Sequence, residues 1–246
     1  MIEQTKGYLR VSGKLFGLND WHSIYESEYT KRLKFTLKTN TLNSIMVSSK
    51  YWFEGNALEV SIKGKDDKYS SRLKKEDVQL KLLKTFNNGE SVDIKCIIDP
   101  NIYLDKVYFD MQLLSISSIP DISFDSNSFK EHNSFIQTFV FDSIQEDCVK
   151  VKLIDYRERI SDFDKFKISD NLIETFSNFE FGDLLKCSGS VNNVPVIIDN
   201  MFVGKEFYMR IDKVMSCEKG KYSKEDLVNK KEEELITDDS LMPWED

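Results

Sequence analysis

The chain has 246 residues, of which 40% are hydrophobic, 12% aromatic and 31% charged, with 4 prolines and a formal net charge of −8. That composition fits packed cores rich in regular structure and excludes collagen-like and low-complexity chains. No run approaches the roughly eighteen apolar residues of a membrane span, and no basic region with an apolar core follows Met1, so a cytoplasmic setting without a membrane is expected.

The first segment alternates with a period of two, as half-buried strands do. In "YLRVSGKLF" (8–16), Leu9, Val11 and Leu15 point one way and Tyr8, Arg10 and Lys14 the other. "KRLKFTLKT" (31–39) sets Leu33, Phe35 and Leu37 against Arg32, Lys34 and Lys38, and "SIMVSSKYWF" (44–53) sets Ile45 and Val47 against Lys50 and Trp52. A mixed insertion (54–77) precedes "VQLKLLKTF" (78–86), whose Val78, Leu82 and Phe86 fit a short helix ended at "NNG". "SVDIKCIID" (91–99) and "KVYFDMQLLSI" (106–116) follow as strands. Three strands, a helix and two strands are the order of an OB-fold, a five-stranded Greek-key barrel.

A weaker copy comes later. "SFIQTFVFDSI" (134–144) and "CVKVKLIDY" (148–156) open it, "DNLIETFSNF" (170–179) supplies the helix, and "DLLKCSGSV" (183–191) and "KEFYMRIDKV" (205–214) close it. "KTFNNGESVDIKC" (84–96) is echoed by "ETFSNFEFGDLLKC" (174–187), and "KVYFDM" (106–111) by "KEFYM" (205–209). In the echo Phe109, Met111, Phe207 and Met209 fall on the inward parity, while Tyr108 and Tyr208 point out. The expected architecture is mainly β: an OB-fold over 1–118, a linker over 119–133 with the Ser, Asp and Pro content of a connection, a second OB-fold over 134–217, and a disordered acidic tail over 218–246.

Charge follows these divisions. Residues 1–118 carry 18 Lys+Arg against 15 Asp+Glu, residues 119–217 carry 11 against 17, and residues 218–246 carry 5 against 10. The overall acidity therefore leaves room for a positive surface on the first unit.

Catalysis has little support in the residues. His22 and His132 lie in no nucleophile motif, and no glycine-rich phosphate loop occurs. Cys96, Cys148, Cys187 and Cys217 are widely spaced without a C-x-x-C pair, so neither zinc nor a disulfide framework is expected. The acid pairs Asp66/Asp67 and Asp162/Asp164 read as solvated loops. No enzyme activity, cofactor or metal is expected.

The outward set points to nucleic acid. Tyr8, Arg10, Lys14, Arg32, Lys34, Lys38, Lys50 and Trp52 belong to the outer parity of three strands that a barrel would hold side by side. Cations for phosphates interleaved with rings for unstacked bases make a single-strand groove. Trp21 and Tyr25 stand at one rim, Lys63, Lys65, Tyr69 and Arg72 at another, and Tyr108 on the last strand. The second unit offers Lys150, Lys152, Lys165, Lys167, Tyr208 and Arg210 among more acids.

The chain closes with "TDDSLMPWED", in which Asp238, Asp239, Leu241, Met242, Pro243 and Trp244 run acid, acid, apolar, apolar, proline, aromatic. In this tip and in its plan the chain resembles the bacterial and phage single-stranded DNA-binding proteins, which join OB-folds to an acidic tail docked by replication and repair partners. The resemblance implies single-stranded DNA as ligand, replication or recombination as setting, and those six residues as a partner-binding site. It departs from the family where Glu245 and Asp246 follow the aromatic. The competing expectation is an adaptor that uses its barrels for protein contacts; a metal-dependent nuclease is a third.

Overall fold

A computed structural model describes residues 2–103, 106–198 and 201–227. The first unit contains β1 (Gly7–Phe16), β2 (Ile24–Glu26), β3 (Thr30–Lys38), β4 (Ser44–Trp52), β5 (Val60–Lys63), β6 (Ser71–Leu73), α1 (Glu76–Thr85), β7 (Ser91–Tyr103) and β8 (Lys106–Ser118). The second contains β9 (Asn133–Gln145), β10 (Cys148–Ile154), β11 (Ile160–Ile168), α2 (Asp170–Phe176), β12 (Leu184–Ile198) and β13 (Met201–Glu218).

Pairing identifies the fold. β1 pairs with β3 and β7, β3 with β4, and β7 with β8, all antiparallel, and β8 closes on β4 through a parallel contact at Ser48↔Gln112. With α1 between the third and fourth main strands, this is an OB barrel. β9 to β13 repeat the scheme, including the parallel closure of β11 on β13. The chain is thus mainly β with two OB-folds in tandem. The two barrels share one sheet, because β1 and β9 pair antiparallel from Gly7↔Gln137 to Val11↔Asn133.

The alternation read from the sequence is the alternation observed. Leu9, Val11, Leu15, Leu33, Phe35, Leu37, Ile45 and Val47 are buried, and Phe135, Phe139, Phe166 and Phe176 fill the second barrel. Each contributes about 1.5–3 kcal/mol of apolar transfer. α1 closes the first barrel with Val78 and Leu82, and its acids Glu76 and Asp77 at the first turn and Lys84 at the last complement the helix dipole. The four cysteines are free, Cys96 and Cys187 at matching buried positions; burial, reinforced by Cys217, pushes the Cys187 thiol up to about 12.

Several elements differ from expectation. β11 was not foreseen, and Asp162 and Asp164 lie on this strand rather than in a loop. Its apolar residues are spaced irregularly because β11 carries an extra residue where Val149↔Phe166 is followed by Val151↔Phe163, a bulge that breaks the period. The insertion holds β5 and β6, and β2 adds an edge to β3. β7–β8 and β12–β13 run past their expected ends as long hairpin arms, through Pro100 and Pro195. On the first arm Phe109, expected in a barrel core, instead meets Phe163 at 5.0 Å and Phe207 at 6.1 Å between the units. The tail does not leave the body at 218: Tyr222 and Leu227 are buried with Val140, Ile154, Ile160 and Leu184. Gly182, at φ +91, admits this segment so closely that a Cβ there would collide with the Tyr222 carbonyl.

The linker is fastened at both ends. Asp121 accepts from Ser91 Oγ at 2.9 Å and meets Lys14 Nζ at 3.0 Å. Glu131 accepts from Thr39 Oγ1 (2.5 Å), Asn40 Nδ2 (2.5 Å), Asn43 Nδ2 (3.1 Å) and Asn133 Nδ2 (3.2 Å). Asn43 and Asn133 each also donate to the Val191 carbonyl, at 2.9 and 2.6 Å. One carboxylate thereby joins the β3–β4 turn, the linker and β12. Burial opposes its charge, but the hydrogen bonds from Thr39, Asn40, Asn43 and Asn133 outweigh that and hold the carboxyl below the usual glutamate range.

Candidate nucleic-acid interface

The outer faces of β2, β3 and β4 form one row. Because directly opposed residues of an antiparallel pair share a face, Tyr25↔Arg32 and Arg32↔Lys50 align Tyr25, Arg32 and Lys50 across three strands. Trp52, two residues on from Lys50, lies on the same side, and Lys50 Nζ sits 4.7 Å from its ring centroid. That contact holds the ring half-exposed beside a cation. Lys34 stands opposite Ser48 on the same face.

This face forms one wall of a cleft of about 610 Å³ between the two barrels. Arg32, Lys34 and Lys50 line it from the sheet, Tyr108 and Lys106 from the β7–β8 arm, and Asp162, Asp164 and Lys165 from β11 opposite; Phe109, Phe163 and Phe207 also line it. Five cations face three carboxylates, counting Asp110. Two of those carboxylates are already paired. Asp110 Oδ1 accepts from Arg32 Nη2 at 2.9 Å and Ser48 Oγ at 2.8 Å, and Asp162 meets Lys152 at 2.5 Å. Arg32 Nε is buried without a hydrogen-bond partner, so this guanidinium keeps an unused donor.

Other sequence-selected residues lie elsewhere. Lys14 and Lys38 oppose one another at the end of the β1–β3 ladder, but earlier in β1 the partners are β7 and β9. Tyr8 and Arg10 therefore lie beyond the end of the β3 ladder and do not join the row, Tyr8 at 55% exposure and Arg10 against Asp93 at 3.3 Å. Trp21 is 93% exposed in its loop. Lys63, Lys65, Tyr69 and Arg72 sit on or beside the β5–β6 hairpin, where Lys63 opposes Ser117. Ser117 is about 20 Å along β8 from Asp110 in the cleft, at ~3.3 Å per residue. In the second unit Lys165 reaches the cleft, Lys167 is held by Glu206 at 2.7 Å with Tyr208 beneath it, and Arg210 meets Asp212 at 3.0 Å. Asp238, Asp239, Leu241, Met242, Pro243 and Trp244 lie outside the described residues.

Sequence reasoning missed the second wall of the cleft, since β11 was not recognised. It also missed a meeting of Ser12, Asp93 and His132. Ser12 Oγ donates to Asp93 at 2.9 Å, and His132 Nδ1 is 3.3 Å from the same hydroxyl and 3.7 Å from the carboxylate. One imidazole nitrogen thus faces both groups, whereas a relay for nucleophilic catalysis needs one for each. Among the described residues no group of His, Cys, Asp and Glu is placed to hold a metal, and no helix is long and apolar enough to cross a membrane.

The family model YorF matches residues 32–240, most of the chain. The chain belongs to the YorF family. No curated protein matches this YorF-family chain in sequence. Among solved structures it is similar to the wild-type single-stranded DNA binding protein from Thermus aquaticus, at 12% identity and a TM-score of 0.48 over 88% of this chain and 94% of that one. A deletion mutant of that protein matches at 14% identity and a TM-score of 0.48, over 87% and 93%. The OB assignment of the YorF-family chain stands on its own strand pairing.

Proposed function

We propose that the protein binds single-stranded DNA, without catalysis, in the cleft between its barrels, and that its acidic tip recruits replication or repair proteins. The observation that supports this most is the alignment of Arg32, Lys34 and Lys50 along one wall of the cleft, with Tyr108 beside them and Tyr25 and Trp52 on the same sheet face just outside it: cations for the backbone and rings for bases on adjoining surfaces. A base stacked on such a ring contributes about 1–3 kcal/mol. Lys34, Lys50, Lys106 and Lys165 offer up to four phosphate contacts, which correspond to a slope of log K against log salt of about −3.

The test is an oligo(dT) titration read by tryptophan emission in a Trp21→Phe, Trp244→Phe background, so that Trp52 alone reports. Quenching that weakens with salt at about that slope supports the proposal. Micromolar protein with no salt-sensitive quenching defeats it. One observation favours the adaptor reading instead, namely that Asp110 and Asp162 already offset part of the cleft's charge. The adaptor predicts that neutralising Lys34, Lys38 and Lys50 leaves function intact while removal of the tail abolishes it.

A further inference from the structure

On the second barrel, aspartates stand where a surface built only for phosphates would carry none. Asp162 and Asp164 line the cleft from β11, across from Arg32, Lys34 and Lys50. They are two residues apart on one strand, both exposed, with the buried Phe163 between them, so they share the solvent side of β11. β11 holds in the second barrel the place that β4 holds in the first, since β11 closes in parallel on β13 as β4 does on β8. There the first barrel presents Lys50 and Trp52, and the second presents carboxylates.

Asp162 Oδ1 meets Lys152 Nζ, and the carboxylate keeps further lone pairs, because an ionised aspartate has about four acceptor sites and no donor. Lys165 follows Asp164 where β11 bulges, and it also lines the cleft. Phe109, Phe163 and Phe207 add an apolar patch to the same cleft, the second and third rings centred 5.0 and 6.1 Å from the first.

A strand laid in this cleft is sorted by charge. Phosphates are drawn to the first wall and repelled by the aspartates, so the groups that meet β11 are base edges over the phenylalanine patch. An unpaired base edge is then chosen by what it donates. Guanine offers N1–H and a 2-amino group side by side, a two-point match to one carboxylate, with O6 next to them for Lys165. Adenine and cytosine offer one amino group beside a ring nitrogen that only accepts. Thymine offers a single N–H between two carbonyl oxygens, and each of those oxygens repels a carboxylate.

We propose that Asp162 and Asp164, with Lys165, select among bases in the cleft, so that guanine is preferred and thymine disfavoured. This selection rests on the proposed function, the binding of single-stranded DNA in the cleft, and adds which bases are held there. A bidentate contact discriminates by about fivefold at the low end of its range, the end that applies because both aspartates are exposed.

The test uses the full-length protein and fluorescein-labelled strands of about twelve residues, a length that one or two such barrels cover. Every third residue is guanine, hypoxanthine or thymine, the rest are thymine, and anisotropy is read in lithium buffer, which keeps guanine strands from assembling. Wild type should bind the guanine strand at least about fivefold more tightly than the thymine strand, with hypoxanthine, which lacks the 2-amino group, between them. In Asp162→Asn, Asp164→Asn that ratio should fall to about twofold or less, while the thymine strand binds no more weakly. Asp164→Asn alone, which leaves the Lys152 pair intact, should already lower the ratio, and both variants should unfold at the wild-type temperature because the positions are exposed. A wild-type ratio of one, or a ratio that persists in the double variant, overturns the inference and leaves the proposed function standing. An equal rise in affinity for all three strands in the double variant also overturns it, since the aspartates would then only offset charge. Absence of salt-sensitive binding to any strand removes the proposed function itself, and the selection with it.

Discussion

Replacement of Glu131 tests whether a single carboxylate sets how the two barrels meet. In Glu131→Ala the buried Asn43 amide and Asn133 each lose one of two acceptors, keeping the Val191 carbonyl, and the buried Thr39 hydroxyl keeps only the Asn43 carbonyl at 3.4 Å, while Asn40 can turn to water. About 1.5–3 kcal/mol is typical for each hydrogen bond to a charged group, but Glu131 is exposed as a residue and only its carboxyl end is partly enclosed, so its electrostatic part must be discounted. One to two uncompensated bonds remain, a loss of about 2–3 kcal/mol. Glu131→Gln should cost only about 1 kcal/mol, because a carbonyl at the Oε1 position keeps the Thr39, Asn43 and Asn133 bonds and only Asn40 meets an amide donor. The carboxyl is held below its ordinary value in the folded protein. Its stabilisation is therefore complete above the unfolded value of about 4.3 and is lost as pH falls through the folded one. Urea unfolding of wild type and both variants at neutral pH and near pH 3 measures this directly. A Glu131→Ala variant within about 0.5 kcal/mol of wild type, or a difference that persists unchanged in acid, would refute the reasoning.

Trp52→Ala should weaken oligonucleotide binding by about 1–3 kcal/mol with little change in salt slope, whereas Lys50→Ala should reduce the slope by about 0.7; fluorescence anisotropy across a salt series separates the two. Asp110→Asn frees Arg32 of its counter-charge and should tighten binding by about threefold or more, read in the same assay. Tyr222→Ala should lower stability by about 2–3 kcal/mol because the ring is buried in the second cluster, and a thermal midpoint equal to wild type would show the segment after β13 to be dispensable.

The strands that carry the row were readable because one face of each is dry and the other wet, so Leu33, Phe35 and Leu37 announce the side on which Arg32 and Lys34 do not lie. Parity gives the face of a strand but not its neighbours. It could not show that β1 leaves β3 for β9, which is why Tyr8 and Arg10 were grouped with residues they do not join. The expected strands stop at 99 and 191, yet pairing continues past both through prolines within the hairpin arms, Pro100 opposite Phe109 and Pro195 opposite Lys205. β11 was hidden by its bulge and by outward Asp162 and Asp164, and with it went the second wall of the cleft. Tyr222 and Leu227 are isolated in a polar stretch, and nothing local signals that a hollow lined by Val140, Ile154 and Ile160 awaits them.

Side-by-side placement of β1 and β9 gives this chain a freedom that two identical subunits meeting along the same strands would lack. A symmetric pair must repeat every substitution on both banks of its channel, so a lysine gained on one side appears on the other. Covalent duplication lifts that constraint: the first repeat sets Arg32, Lys34, Lys50 and Lys106 on its bank while its twin sets Asp162 and Asp164 across from them, with Asp110 and Lys165 the exceptions on either side, so the two banks differ in charge as no symmetric pair could.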